Sequence, residues 1–461
     1  MMLIATHVVS IVVGLLTATG IVAVHAVFSS RGQAVLLAAL VLPTSFGMAA
    51  DNWTSFQNGG AISVAHDGDT LQWDRQWSQK IAGYGQSSPV VWGDSVYVTS
   101  VSGPQKETYH VTALTLREGK TRWQHDLKNR SPRENTNYVS RAAPTPAVDE
   151  NGLVCFFEGG NLVALSHDGK VRWERDLVQE YGPLDARHGL SASVEQTDAH
   201  AFIWVERAED PYVLAVNKTD GKTVWKVAGI GATSWATPRL VPVGDGQHLV
   251  LSGVGHLVGL DPQTGERLWE FEGISGNSSP TPIPLGDGRF LQGATVGRGE
   301  SSSGAAAKSN GVIEISRTDE GTWQADYVWQ AKRATSSFGS PIAHADRCYY
   351  VNSAGVVYCL DLKTGDEVFA KRLEESIWAT PVAVGNEILF FGKGGSIRGI
   401  SGGAEFQALS SETAWDAPTT DGSESESGRA QFAGPVLYGV AVVGDQVVIR
   451  RGDQLTMWKI H

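Results

Sequence analysis

One pattern recurs along this chain and leaves few folds open to it. An apolar strand leads into a polar turn that closes on Gly, and a short second strand closes on a ring. The Gly and ring pairs are Gly119 and Trp123, Gly169 and Trp173, Gly221 and Trp225, Gly265 and Trp269, and Gly365 and Phe369, always four residues apart. Repetition at one spacing marks arrays in which each unit buries its faces against its neighbours. The local chemistry is that of a tight hairpin. Asp or Asn opens the turn through side-chain hydrogen bonds to the backbone. Gly takes the left-handed position. The ring lands on a face that can anchor one sheet against the next.

A second pattern precedes each turn. Ser, Thr or Gly stands before a Pro, and an apolar alternation follows, as at Pro89, Pro146, Pro238, Pro280, Pro341, Pro381 and Pro435. Ser191-Ala-Ser-Val194 is a degenerate copy without Pro, which makes eight units. Pro is confined to strand starts and free edges, so each one is expected to open the innermost strand of a unit. Segments such as Ser95–Thr99, His248–Ser252 and Glu387–Phe391 read as the strands that follow. The expected fold is therefore all-β, an eight-bladed β-propeller of four-stranded antiparallel blades over residues 51–461. The last unit has no closing strand of its own. The segment Leu71-Gln-Trp73-Asp-Arg-Gln-Trp77 looks like that strand moved to the front. Closure of the ring by this N-terminal strand removes a free edge.

Two stretches leave the pattern. Residues 297–310 are rich in Gly, Ser and Ala, and the turn of the fifth unit is degraded near Gly321 and Trp323. Residues 401–429 form a longer acidic, polar excursion. Both read as mobile surface loops.

Composition agrees with the repeat. The 461 residues include 53 Gly and 15 Trp, as many turns and ring anchors require, and only 19% are charged. With 37 Lys and Arg against 49 Asp and Glu, the net charge is −12. Such a chain lacks the basic surface that nucleic-acid binding needs, so no nucleic-acid partner is expected.

Residues 1–50 read as a signal peptide or N-terminal membrane segment. Arg31, the apolar run from Ala34 to Leu42, and small residues at Ala49 and Ala50 fit a secretory signal with its cleavage site. The upstream run is then surplus. Either translation begins near Val27, or Leu3–Phe28 is a membrane helix. Export to the periplasm or cell envelope is the expectation. No Cys lies near the cleavage site, so a lipoprotein is not expected. Cys155, Cys348 and Cys359 form no disulfide framework. They read as buried small residues, with Cys348 and Cys359 placed to face each other across neighbouring strands as the alternative.

The turn motif is clearest at Gly259–Trp269 and resembles the pyrroloquinoline-quinone (PQQ) repeat, and the likeness covers roughly Asn52 to Lys459. The chain is thus similar to PQQ-like propellers. That family holds PQQ-dependent dehydrogenases as well as non-enzymatic binding propellers such as BamB. The resemblance implies, for the dehydrogenases, a vicinal disulfide against the cofactor and a Ca²⁺ held by Glu, Asn and Asp. This sequence has no adjacent cysteines and no compact acidic cluster of that kind. The family's fold is clear in the motif; function lives in the site.

No His-Glu-x-x-His, Cys-x-x-Cys, Gly-x-Ser-x-Gly or Walker pattern occurs. His256 reads as an isolated strand residue. Arg451-Gly452-Asp453 reads as a hairpin turn. The candidate surface comes from geometry. The residue three before each Pro should stand at the mouth of the central channel, which places Gln86, Trp235, Asn277, Phe338, Trp378 and Phe432 there. Arg141, Arg187, His188 and Arg333 lie in loops leading to the same face. Rings and guanidinium groups around a funnel suit a peptide or small ligand. Ring packing between blades is the structural alternative.

The expectation is an exported, monomeric, non-catalytic scaffold that binds an envelope protein or peptide, with no cofactor and no metal. Peripheral membrane association is a secondary expectation. A PQQ-dependent alcohol or sugar oxidoreductase with Ca²⁺, and a polysaccharide-binding propeller, are the alternatives.

Overall fold

The structure is a computed structural model. It describes residues 12–17, 20–28, 34–37, 52–68, 70–136, 139–186, 188–231, 235–253, 255–274, 279–295, 303–415 and 439–461. Residues 1–48 and 49–461 are separate compact units. In the first unit, Val12–Thr17, Gly20–Phe28 and Ala34–Leu37 pair as a three-stranded antiparallel sheet. This differs from the membrane helix that was one reading of the stretch. Val and Ile, stiff at the first side-chain torsion, favour extended backbone there. Among the described residues, no helix is long and apolar enough to cross a membrane. The expected cleavage site at Ala49 and Ala50 lies outside the described residues.

The second unit consists of eight sheets that follow the sequence around a ring, each with four antiparallel strands, an eight-bladed propeller. Blade 1 runs outward through Val90–Trp92, Ser95–Ser102, Thr108–Thr115 and Thr121–Lys128. Blades 2 to 7 follow at 147–176, 195–228, 239–272, 283–330, 342–372 and 382–413. Blade 8 takes three strands from 440–460 and its outermost from the front, Trp73–Lys80, which pairs antiparallel with Gln454–Ile460. The ring therefore closes as the sequence predicts.

The turn glycines join the blades. Gly119, Gly169, Gly221, Gly265 and Gly365 all have φ between 67° and 81°. A Cβ on each would strike a Trp of the preceding blade: Trp77, Trp123, Trp173, Trp225 and Trp329, at 2.5–2.8 Å. Each indole also donates to a carbonyl in the turn it covers, for example Trp173 Nε1 to Lys218 O at 2.9 Å and Trp329 Nε1 to Leu362 O at 2.9 Å. Blade 5 breaks the series. Gly321 has no neighbour within 4 Å of a Cβ position, and Trp269 donates instead to His248 Nδ1 at 3.0 Å. The ring that blade 5 offers to blade 6 is Trp329, not Trp323.

Hydroxyl residues at the entry to the inner strands form a belt inside the ring of blades, across blades 1 to 7. Ser88 N donates to Thr145 Oγ1 (3.0 Å), Thr145 N to Ser193 Oγ (3.0 Å), Ser193 N to Thr237 Oγ1 (3.1 Å) and Thr237 N to Thr281 Oγ1 (2.9 Å). Ser340 N donates to Thr380 Oγ1 at 2.9 Å. This belt ties neighbouring blades together where buried backbone needs partners. It also resets one register. Blade 5 opens at Thr281-Pro282, not at Pro280. In blade 8 the described inner strand is Val440–Val443, and Gly439 stands beside Ser88; Pro435 lies outside the described residues.

Two expectations about loops are corrected. Within 297–310, Ser303–Lys308 is a short helix, with Ala306 and Ala307 fully buried. Asn310 pins it through Ala294 and Ala306, because its amide can satisfy both backbones at once. Within 401–429, Ala408–Thr413 is the outermost strand of blade 7; residues 416–438 lie outside the described residues. Gly452 and Asp453 do form the two-residue hairpin turn expected of them. Cys348 and Cys359 sit on adjacent strands but oppose Leu360 and Tyr349 respectively, so they point to opposite faces. All three cysteines are buried and free.

Candidate functional site

Residues 52–64 cross the hub and plug it. Trp53 bridges to Val91 of blade 1, and Thr54 O accepts from Val148 of blade 2. Ser63–Val64 adds a parallel fifth strand inside Val382–Val384 of blade 7. At the axis, Gln57 Nε2 donates to Ser340 Oγ at 2.9 Å and Thr380 Oγ1 at 2.7 Å, while its Oε1 accepts from Arg239 at 3.2 Å. Arg239 is fully buried and faces Glu195 Oε2 at 3.0 Å. Burial raises the Glu195 carboxyl pKa and lowers that of Arg239, each opposed by the other's charge. The hub thus pairs Gln57, Arg239 and Glu195 with one another, while Arg239 Nε has no hydrogen-bond partner among the described residues.

The opposite face carries the loops that enter each inner strand, and here the expected site residues divide. Phe338 and Trp378 meet with ring centroids 4.7 Å apart, and Lys393 Nζ lies 4.8 Å from the Trp378 ring. Trp378 is 7% exposed and Phe338 is half-buried. In the loops that lead into blades 3 and 4, His188 packs edge-on to Trp235 at 5.9 Å. Trp235 holds a left-handed backbone (φ 66°), and its N–H donates to the buried Glu206 at 3.2 Å. A bulky residue keeps such a conformation only when its surroundings impose it.

Gln86 and Arg141 form a third group. Gln86 exchanges hydrogen bonds with the Arg141 backbone, and the Arg141 guanidinium lies 3.6 Å from the centroid of the Tyr84 ring. Beneath them Lys106 and Glu158, both nearly unexposed, face each other at 3.4 Å. Lys106 also donates to Ser140 O, and Ala142 N to Glu158 Oε1. Desolvation lowers the Lys106 pKa and raises that of Glu158. This pair fixes the loop that presents Arg141.

Arg333 does not join the funnel. It pairs with Glu367 on the outermost strand of blade 6, where a carboxylate offers a better partner than water. Arg187, Asn277 and Phe432 lie outside the described residues. Blade 5 opens at Thr281-Pro282, one step beyond the Pro280 from which Asn277 takes its place. Tyr84, Lys393 and Glu206 went unnoticed in the sequence. Only Tyr84, next door to Gln86 in a Gly-flanked loop, carried a local signal.

His256 is not isolated: it lies 3.4 Å from Glu270, with Glu272 close by. This group sits on the outer two strands of blade 4, away from the hub. The separated cysteines, and a hub Glu already engaged by Arg239, do not match the donors that a PQQ–calcium centre calls for.

The fold and its turn motif define a PQQ-like β-propeller. A family profile described as outer membrane protein assembly factor BamB matches residues 54–204, 209–324 and 308–457, and the chain belongs to that family. The BamB of Alkalilimnicola ehrlichii is 25% identical over 215 residues, 46% of this chain and 49% of that protein. The match thus spans about half the length of that curated relative. The crystal structure of BamB from Moraxella catarrhalis aligns with a TM-score of 0.59 at 14% identity, over 84% of this chain and 100% of that one. The quinohemoprotein alcohol dehydrogenase of Comamonas testosteroni aligns with a TM-score of 0.58 at 12% identity, over 89% of this chain and 80% of that one. At such identities the two structures speak for the fold alone.

Proposed function

We propose that this BamB-like propeller is an exported scaffold of the cell envelope whose funnel face holds a protein or peptide partner without catalysing a reaction on it. The observation that carries the reading is the division between the two faces. One is crossed by residues 52–64, and the loops entering the inner strands carry Phe338, His188, Trp235 and Arg141, with Trp378 packed against Phe338 and Lys393 beside the Trp378 ring. Rings with flanking cations anchor peptides well, because they combine apolar area with directional contacts. Family membership across the propeller supports the same reading, whereas the engaged hub speaks against PQQ chemistry.

A photo-crosslinker placed at position 338 in the full chain, expressed in its own envelope, tests this. One discrete adduct is expected there, lost in a Trp235→Ala, Lys393→Glu variant and absent when the crosslinker stands at position 224 on an outer strand. Equal capture at both positions would sink the reading. In parallel, purified protein with added PQQ and Ca²⁺ should show neither bound-cofactor absorbance nor alcohol oxidation; clear turnover would favour the oxidoreductase.

A further inference from the structure

Blade 1 carries a hydrogen-bonded chain of three side chains on the face turned toward blade 8. Asp126 Oδ1 lies 2.7 Å from His110 Nδ1, and His110 Nε2 lies 2.8 Å from Ser102 Oγ. Strand register produces the alignment. His110 sits directly opposite Asp126 on one side and Ser100 on the other, so Ser102 is its diagonal neighbour on the same face. His110 is buried, with its side chain 7% exposed. Gly83, at φ 67°, packs its backbone close over the imidazole. Gln124 Nε2 also donates to Asp126 Oδ1 at 2.8 Å. Burial pushes the Asp126 carboxyl up, but hydrogen bonds from His110 and Gln124 outweigh it and hold its pKa below the ordinary value.

Ser102 opens onto a cleft of about 670 Å³ between blades 8 and 1. Ile81, Tyr84 and Val101 give it an apolar wall, and Asn135, Arg451 and Gln454 a polar one. Asn135 Oδ1 is buried with no hydrogen-bond partner among the described residues. An acceptor in that state calls for a donor.

We propose that Ser102, His110 and Asp126 form an esterase site, independent of the funnel, that takes a short acyl ester. The apolar wall receives the acyl chain, and the polar wall faces the alcohol. Ser102 Oγ attacks the acyl carbon as its proton passes to His110 Nε2. The carbon–oxygen bond to the alcohol breaks, and His110 returns that proton to the leaving oxygen. Water then loses a proton to His110 and attacks the acyl-serine, and Ser102 leaves with the proton restored. The sum is ester plus water to acid plus alcohol, with no change of oxidation state. Ser102 and His110 are the catalytic residues. Asp126 is a positioning residue that keeps the Nδ1 proton in place and steadies the imidazolium.

The test uses the full chain with a fluorophosphonate probe and a p-nitrophenyl acetate assay. Wild-type protein should carry one phosphonyl group, mapped to Ser102, and should hydrolyse the ester. Ser102→Ala should lose the label and roughly a hundredfold of the rate, and His110→Gln a similar factor, as removal of a nucleophile or base does. Asp126→Asn should slow the rate about tenfold or more and displace the acid limb of its pH profile, which a merely structural loss would leave in place. Circular dichroism checks that the variants fold; if His110→Gln does not, Ser102→Ala alone decides. Wild-type protein without label, or equal labelling and turnover in Ser102→Ala, overturns the proposal.

Discussion

His248 shows how much one side chain can owe to its surroundings. It accepts from the Trp269 indole through Nδ1, which requires that nitrogen to be unprotonated. Burial lowers its pKa to about 4, with Asp261 opposing and Arg317 adding. The folded pKa therefore lies below the unfolded value of about 6.5. The stabilisation is present in full above pH 6.5 and is lost as the pH falls toward 4, because the unfolded chain binds the proton more readily. Thermal unfolding between pH 7 and 4 should show a steeper fall in Tm for wild type than for His248→Gln; parallel curves would contradict the assignment. Nothing in the sequence around His248 announces this. The Trp that needs it was displaced from its usual turn only because blade 5 has no glycine turn in reach.

At the scale of elements, the turn and the ring act as one joint between blades. Gly221 shows both halves: its φ is 72°, and a Cβ would come within 2.6 Å of Trp173. Gly321 shows one half, with φ 82° and open space. Gly321→Ala should cost only the left-handed strain, about 1–2 kcal/mol. Gly221→Ala should cost that plus overpacking of about 1–3 kcal/mol. Urea unfolding of the two variants measures the difference, and equal losses would mean that the rings do not set the blade spacing. The joint was legible because its turn lies within a dozen contiguous residues. The opening of blade 5 was less so. Pro280 and Pro282 are equivalent as local signals, and only the hydroxyl of Thr281 in the belt shows which one opens the strand.

At the scale of the whole molecule, the segment 52–80 does two jobs. It plugs the hub through Gln57 and supplies the outer strand of blade 8. A chain lacking residues 52–80 should leave Gln454–Ile460 as an unpaired edge and Arg239 without its Gln57 partner. Size-exclusion chromatography should then show oligomers or aggregates, since bare strand edges pair with one another. A monomer that unfolds in one sharp transition would show that closure is dispensable. Closure was readable from the Trp73 and Trp77 strand. The plug was not, since Thr54 to Gly60 carries no periodic pattern and takes its shape from the blades around it.

The sequence alone determined the blade count, the joints between blades and the closing strand. Each is written in local turn chemistry, where a glycine, a proline or a ring acts on residues a few positions away. Tertiary structure decided which side chains meet: Phe338 with Trp378, Arg333 with Glu367, and Ser102 with His110 and Asp126. Such meetings depend on strand register and on the angle between neighbouring blades, which are set when the ring closes and not by any short stretch of chain.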